Sequence, residues 1–240
     1  MDWRNDLIFD VGMHVGQDSA FYLAKGFRVV AVEANPILAD EARHRFKTDI
    51  DSGRLVILNI GVGTQEGTFP FYINAQYSEW SSFNKEIGSR GGCKEVIEVP
   101  MIPFESVINR HGTPYYLKID IEGYDFVVLE RLALVSGRPR FISVENGHAH
   151  MLNFLVDLGY KEYKFINQAE VTKMRCPNPS KEGLDIDWTF PVGASGPFGE
   201  DTPGEWKAAD QVLVDINNYW NNPALDPNVD GWFDLHAKFV

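Results

Sequence analysis

The sequence predicts an α/β fold: a mostly parallel sheet with helices on both faces, followed by a loop-rich C-terminal extension. Three observations carry this prediction. Short apolar runs alternate with segments of helical period, the pattern of repeated strand–helix–strand units. Most of these runs exit into glycine, asparagine or a carboxylate. The length of 240 residues suits one such domain with an extension.

Residues 7–12 (LIFDVG) read as a buried strand that ends in a carboxylate and a glycine. A helix follows through Ala20, Phe21, Leu23 and Ala24, with Lys25 and Gly26 as its stop. Residues 28–34 (RVVAVEA) form the second strand. Asn35 and Pro36 then read as the N-cap and first position of a helix running to about Lys47. Residues 55–60 give the third strand. Residues 61–101 break the pattern: extended segments at 67–73 and 96–101 enclose a polar stretch, 78–95, read as a β-rich insertion with a mobile loop. Strand four is expected at 115–120, a helix at 123–134, strand five at 141–145, a helix at 151–158 and strand six at 163–166. From residue 167 to 240 the periodicity fades, and 177–204 is rich in Pro, Gly and acids. The expected division is a ligand-binding domain at 1–166 and an extension at 167–240 packed on it.

The formal charge of −12 argues against nucleic acid and anionic membranes, because phosphate backbones are repelled. Cys93 and Cys176 stand far apart and read as free thiols of a cytoplasmic protein. Neither a signal-peptide core nor an apolar run of membrane-spanning length is visible.

In a doubly wound sheet, ligands bind beyond the carboxyl ends of the strands. Here those ends carry Asp10, Glu33, Asn59, Asp120 and Glu145, so five strands deliver a carboxylate or amide to one edge. Gly12 and Gly16 let a ligand approach the backbone at a helix N-terminus. Glu33 sits where an acid accepts both hydroxyls of an adenosine ribose. Asp10 and Asp18 flank the glycine loop and would repel a pyrophosphate; S-adenosylmethionine, which has no phosphate and carries a sulfonium and an ammonium, fits better.

The segments 10–16 (DVGMHVG), 32–36 (VEANP), 59–67 (NIGVGTQEG), 117–125 (LKIDIEGYD) and 142–145 (ISVE) resemble, in order, the FkbM family of S-adenosylmethionine-dependent methyltransferases. The resemblance implies a Rossmann-like class I methyltransferase fold, S-adenosyl-L-methionine as cofactor, and O-methylation of a sugar or natural-product hydroxyl. It implies that Asp10, Gly12 and Gly16 line the methionine end of the cofactor and that Glu33 holds the ribose. His14, Ala34, Asn35, Asn59, Gly61, Asp120 and Ser82, beside Ser81, complete the expected cofactor set. Little of the segment that commonly precedes strand one is present, and the extension is additional, so the substrate is less defined than the cofactor.

Methyl transfer to a hydroxyl needs a base within hydrogen-bond reach. Asp120 and Glu122, two apart at the end of strand four, lead, as base or sharing a cation; otherwise Asp120 binds cofactor and Glu122 caps the next helix. Glu145 and His148 follow strand five and are further candidates; His150 and His111 read as surface groups. No metal site is assigned. Lys118 reads as the partner of a neighbouring acid. Trp188, Trp206, Trp220 and Trp232 either pin the extension to the sheet or stack on a sugar ring. Phe198, Trp206, Trp232 and His236 give the extension the composition of a lid. An NAD-dependent oxidoreductase and a non-catalytic cofactor-binding protein are the competing readings, and a homodimer is compatible with the sequence.

Overall fold

The computed structural model describes residues 3–222, 224 and 232–240. The chain runs β1 (Trp3–Val11), α1 (Gln17–Ala24), β2 (Arg28–Val32), α2 (Pro36–Arg45), α3 (Lys47–Asp51), β3 (Leu55–Leu58), β4 (Gly61–Gly63) and β5 (Gly67–Asn74). It continues through α4 (Lys85–Gly88), β6 (Cys93–Pro103), α5 (Phe104–His111), β7 (Thr113–Ile119), α6 (Asp125–Leu132) and β8 (Phe141–Val144). The last elements are α7 (Ala149–Asp157), β9 (Glu162–Asn167), α8 (Ala209–Trp220) and β10 (Phe233–Lys238).

Seven strands form the main sheet in the order β3-β2-β1-β7-β8-β10-β9. β10 is antiparallel to both neighbours, and the other pairings are parallel. The order reverses between β1 and β7, and a crevice opens beyond the strand ends at such a switch point. β4, β6 and β5 make a separate three-stranded sheet from the segment read as an insertion.

Alternation along β1 builds two cores. Leu7, Phe9 and Val11 face a cluster closed by α5 to α8, while Ile8 faces a second cluster with α1, Phe46 and Phe198. Burying such a side chain contributes roughly 1.5–3 kcal/mol. Asn35 caps α2 by accepting the Ile37 N–H at 3.0 Å, and Pro36 opens the helix, as its sequence signature predicts.

The structure corrects the sequence reading at several elements. β1 begins at Trp3 rather than Leu7. α5, α8 and β10 lie where no element was assigned. α5 is short, and its buried Phe104, Val107 and Ile108 make barely one helical repeat. β10 hides its alternation because two of its inward positions, Asp234 and His236, are polar yet buried. The polar stretch 78–95 folds into a 3₁₀ turn at Ser78–Trp80 and α4, stitched by the Asn74 amide to the Gly88 and Arg90 carbonyls. The extension is not mainly a lid: β10 completes the sheet, and Phe198 is fully buried, stacked on Tyr116 at 4.9 Å. Trp206 stacks on Phe141, and His236 is buried within the sheet.

Candidate functional site

A cleft lies at the switch point, and its floor is the glycine loop after β1. The Gly12 and Met13 N–H groups both donate to the Val32 carbonyl, at 3.1 and 3.0 Å, which ties the loop to the end of β2. Gly12 has φ +93°, and a Cβ there would stand 1.7 Å from the Asp120 carbonyl oxygen. Only glycine lets the β1 and β7 exits approach this closely.

One wall of the cleft is built around Glu33. Its oxygens accept the His14 N–H at 2.7 Å and the Asn35 N–H at 2.8 Å. Each oxygen keeps a further lone pair. Burial pushes its carboxyl up to about 7, partly offset by those two hydrogen bonds. Beside it Ala34, Leu38, Ile60, Val62, Phe71 and Phe83 give the cleft an apolar surface. Gly61 is required by this packing, since a Cβ there would meet the Phe83 ring at 2.4 Å.

The cleft also has a charged lining. Lys118, Asp120, Glu122 and Tyr124 contribute to it, as do Asp18, Gly193, Ser78, Glu79 and Ser81. β7 ends at Ile119, and Glu122 adopts φ +47°, so the strand-alternation argument for Asp120 and Glu122 does not hold. The turn itself brings both to the cleft. The Asp125 carboxylate fixes that turn by accepting the Ile121 and Gly123 N–H groups, at 2.9 and 3.0 Å. Burial raises the Glu122 carboxyl to about 8, and the nearby Asp120 and Asp125 charges add to the shift. His14 is lowered by burial despite the Glu79 and Asp120 charges, and its Nε2 lies 2.7 Å from Ser78 Oγ.

Gly12, His14, Glu33, Ala34, Gly61, Asp120 and Glu122 thus line the cleft, and several other expected residues do not. Asp10 is fully buried beneath the loop, where its Oδ2 accepts the Ser19 hydroxyl at 2.6 Å and its Oδ1 faces Lys118 Nζ at 3.4 Å. Asp10, expected at the methionine end of the cofactor, thus lies outside the cleft lining. Gly16 is the left-handed N-cap of α1, packed against Phe46 and Met13. Asn35 is committed to its cap. Asn59 donates to the Glu33 and Ala34 carbonyls, at 2.8 and 3.1 Å, and so holds the β2 exit from outside. Ser82 is buried and donates to the Glu122 carbonyl at 2.7 Å; it is Ser81 that lines the cleft.

The two late catalytic candidates also fall outside. Half-buried Glu145 lies beyond the cleft lining, its carboxyl pushed well up by burial and by the Asp120 and Glu122 charges. His148 precedes α7 at its N-cap position and stacks on Trp220 at 4.0 Å, so its ring is a packing group. Among the described residues, no three His, Cys, Asp or Glu side chains are grouped to hold a metal ion. No described helix is long and apolar enough to cross a membrane.

Sequence reasoning missed Leu38, Phe83, Glu79 and Tyr124, which lie past the strand ends rather than at them. It gave Lys118 only a structural part, although a lysine inside the apolar run YYLKID demands a partner. The structure supplies several, described below.

The profile of the methyltransferase FkbM domain matches residues 10–162. No curated protein matches the chain. Among solved structures, methyltransferase FkbM from Methylobacillus flagellatus KT is 18% identical, with 59% of this chain and 32% of that chain covered and a TM-score of 0.42. The chain therefore spans about a third of the length of that protein. Precorrin-6y C5,15-methyltransferase from Geobacter metallireducens GS-15 is 9% identical, covering 99% and 82%, with a TM-score of 0.43. An O-methyltransferase from Bacillus cereus in complex with SAH is 12% identical, covering 97% and 74%, with a TM-score of 0.38. The seven-stranded sheet is that of a Rossmann-like class I methyltransferase. With its family profile matched from the end of β1 to the start of β9, the chain belongs to the FkbM methyltransferase family.

Proposed function

We propose that this methyltransferase binds S-adenosylmethionine in the cleft and methylates a hydroxyl of a sugar or natural-product small molecule, with Asp120 as general base. One observation carries the reading: Glu33 and Asp120 line one cleft together with an apolar surface. The donor set fits the cofactor. Glu33 offers lone pairs for ribose hydroxyls, and Leu38, Ile60 and Phe71 suit the flat face of a purine. The acids Asp18, Glu79 and Asp120 suit a sulfonium and an ammonium. The same acids disfavour the pyrophosphate of a nicotinamide dinucleotide.

The sulfonium supplies the electrophilic methyl group when the cofactor is bound. The chain's part is to orient the acceptor oxygen and remove its proton. Asp120 lines the cleft with its side chain 34% exposed, so an incoming hydroxyl can reach it. A neutral or cationic acceptor suits the acidic lining, which also speaks against nucleic acid. The two free cysteines, Cys93 and Cys176, accord with a cytoplasmic reaction.

The test is turnover to S-adenosylhomocysteine, followed by mass spectrometry against a panel of sugar and polyketide hydroxyls. Asp120→Asn should lower turnover by about 10²–10⁴ while calorimetric affinity for S-adenosylmethionine changes little. Normal turnover in Asp120→Asn removes Asp120 from the step. Binding of NAD in place of S-adenosylmethionine overturns the cofactor.

A further inference from the structure

Lys118 is almost completely buried on β7, directly opposite Asp10 in the β1–β7 register. Its Nζ donates to the Gly12 carbonyl at 2.9 Å and lies 3.2 Å from Asp120 Oδ2. It also lies 3.4 Å from Asp10 Oδ1 and 3.5 Å from Asp18 Oδ2. One ammonium thus joins the glycine loop, the floor beneath it and the carboxylate proposed as base. Asp18 carries the connection onward, accepting the Ser195 N–H and hydroxyl, both at 2.9 Å. Gly193, two residues before Ser195, lines the cleft.

We infer that Lys118 is a positioning residue that fixes Asp120 against the glycine loop and selects Asp120, not Glu122, as the carboxylate that takes the acceptor proton. This rests on the methyl-transfer reading above. An ammonium 3.2 Å away gives the Asp120 carboxylate a buried counter-charge. Glu122 stands two residues on, and among the described residues no cation lies within 4.0 Å of its carboxyl. Burial and neighbouring acids favour its protonated form. Two carboxyls at one turn are thereby separated into a proton acceptor and a proton holder, the division that general-base chemistry needs.

The groups facing this pair are mostly acids. Asp10 comes from β1, Asp18 from α1, Glu33 from the end of β2 and His14 from the glycine loop. From the other side come Asp125 of α6, Glu145 after β8 and Asp234 of β10. Glu79 and Arg90, on the covering segment, act on Glu122 in opposite directions. Among the described residues Lys118 is the only cation within 4.0 Å of Asp10, Asp18 or Asp120. Removing it leaves three carboxylates close together with no counter-charge, so the proton affinity of Asp120 must rise.

The experiment measures the Asp120 carboxyl titration by ¹³C NMR in the ligand-free protein, together with kcat against pH. In Lys118→Met the titration and the acid limb of kcat should move up by about one pH unit or more. Because the contact that holds the base in place is lost, kcat at neutral pH should fall about tenfold or more, with the acceptor KM little changed. Lys118→Arg keeps the charge and should hold the acid limb within about half a unit of wild type. Asp18→Asn removes a like charge and a competitor for the ammonium, so it should move the titration down; this variant serves if Lys118→Met does not fold. A Lys118 that only supports the fold would lower the melting temperature and leave the titration in place. An unmoved titration in Lys118→Met, or in Asp18→Asn, overturns the inference. If wild type forms no S-adenosylhomocysteine with any hydroxyl acceptor, the methyl-transfer reading fails, while the ligand-free titration still decides the role of Lys118.

Discussion

Glu33 shows how one side chain links loop geometry to ligand recognition. It accepts N–H groups from both loops that meet at the β2 exit, so replacing it disturbs the cleft as well as any ribose contact. Glu33→Gln keeps the shape but turns one acceptor into a donor. Its affinity for S-adenosylmethionine should fall by about 1–3 kcal/mol, roughly 5- to 150-fold, measured by calorimetry. Unchanged affinity in a folded variant would remove Glu33 from the cofactor site. Gly12 works through space rather than charge. Gly12→Ala combines a left-handed backbone with a Cβ 1.7 Å from the Asp120 carbonyl oxygen, and should cost about 3 kcal/mol or more of stability. A melting temperature equal to wild type would show that the β1 and β7 exits can part without penalty.

At the scale of elements, the extension belongs to the sheet. The β10 backbone pairs with β8 on one side and β9 on the other, so a chain ending near residue 168 leaves β9 without a partner and β8 paired only with β7. Such a truncation should fail to bind S-adenosylmethionine and show no cooperative melting transition. Phe198 offers a gentler test. Phe198→Ala should cost about 3–5 kcal/mol, because it empties a fully buried site stacked on Tyr116. Methyl transfer by the folded fraction should survive. Lost turnover at unchanged stability would instead make the extension a lid. These elements also show what the sequence could convey. The glycine loop, Glu33 and Asp120 were legible because apolar runs mark strand ends, and a parallel sheet gathers those ends at one edge. Asp10 was not, because a residue at a strand end faces either the cleft or the layer below. The pleat and the buried ammonium of Lys118 decide which. β10 was illegible because Asp234 and His236 occupy inward positions that an apolar pattern should fill. α8 did carry a signal, Val212, Ile216 and Tyr219 at helical spacing, but it was masked by the acidic, loop-like residues before it.

Across the whole molecule, buried acids and histidines set opposing slopes of stability against pH. Burial raises Asp18 and Asp125 to about 6, Glu33 to about 7 and Glu122 to about 8, and pushes Glu145 and Asp234 well up. A carboxyl raised on folding holds its proton in the native state after the unfolded chain has lost it. Its contribution is complete below the unfolded value and disappears as pH climbs through the folded one. His14, His111, His148 and His236 act oppositely, since burial lowers each and stability is lost as pH falls below the unfolded value of about 6.5. Between about pH 6.5 and 8 the carboxyls are therefore no longer opposed by the histidines, and the net charge of −12 adds repulsion of the same sign. The ligand-free protein should melt several degrees lower at about pH 8 than near pH 6. Glu122→Gln removes one titrating group while keeping its shape. This variant should flatten that decline and melt above wild type by a margin that is absent below the unfolded value of 4.5 and grows up to about pH 8. Calorimetric melts of both proteins at matched ionic strength decide it, and parallel curves across that window would mean that Glu122 is already ionised in the fold.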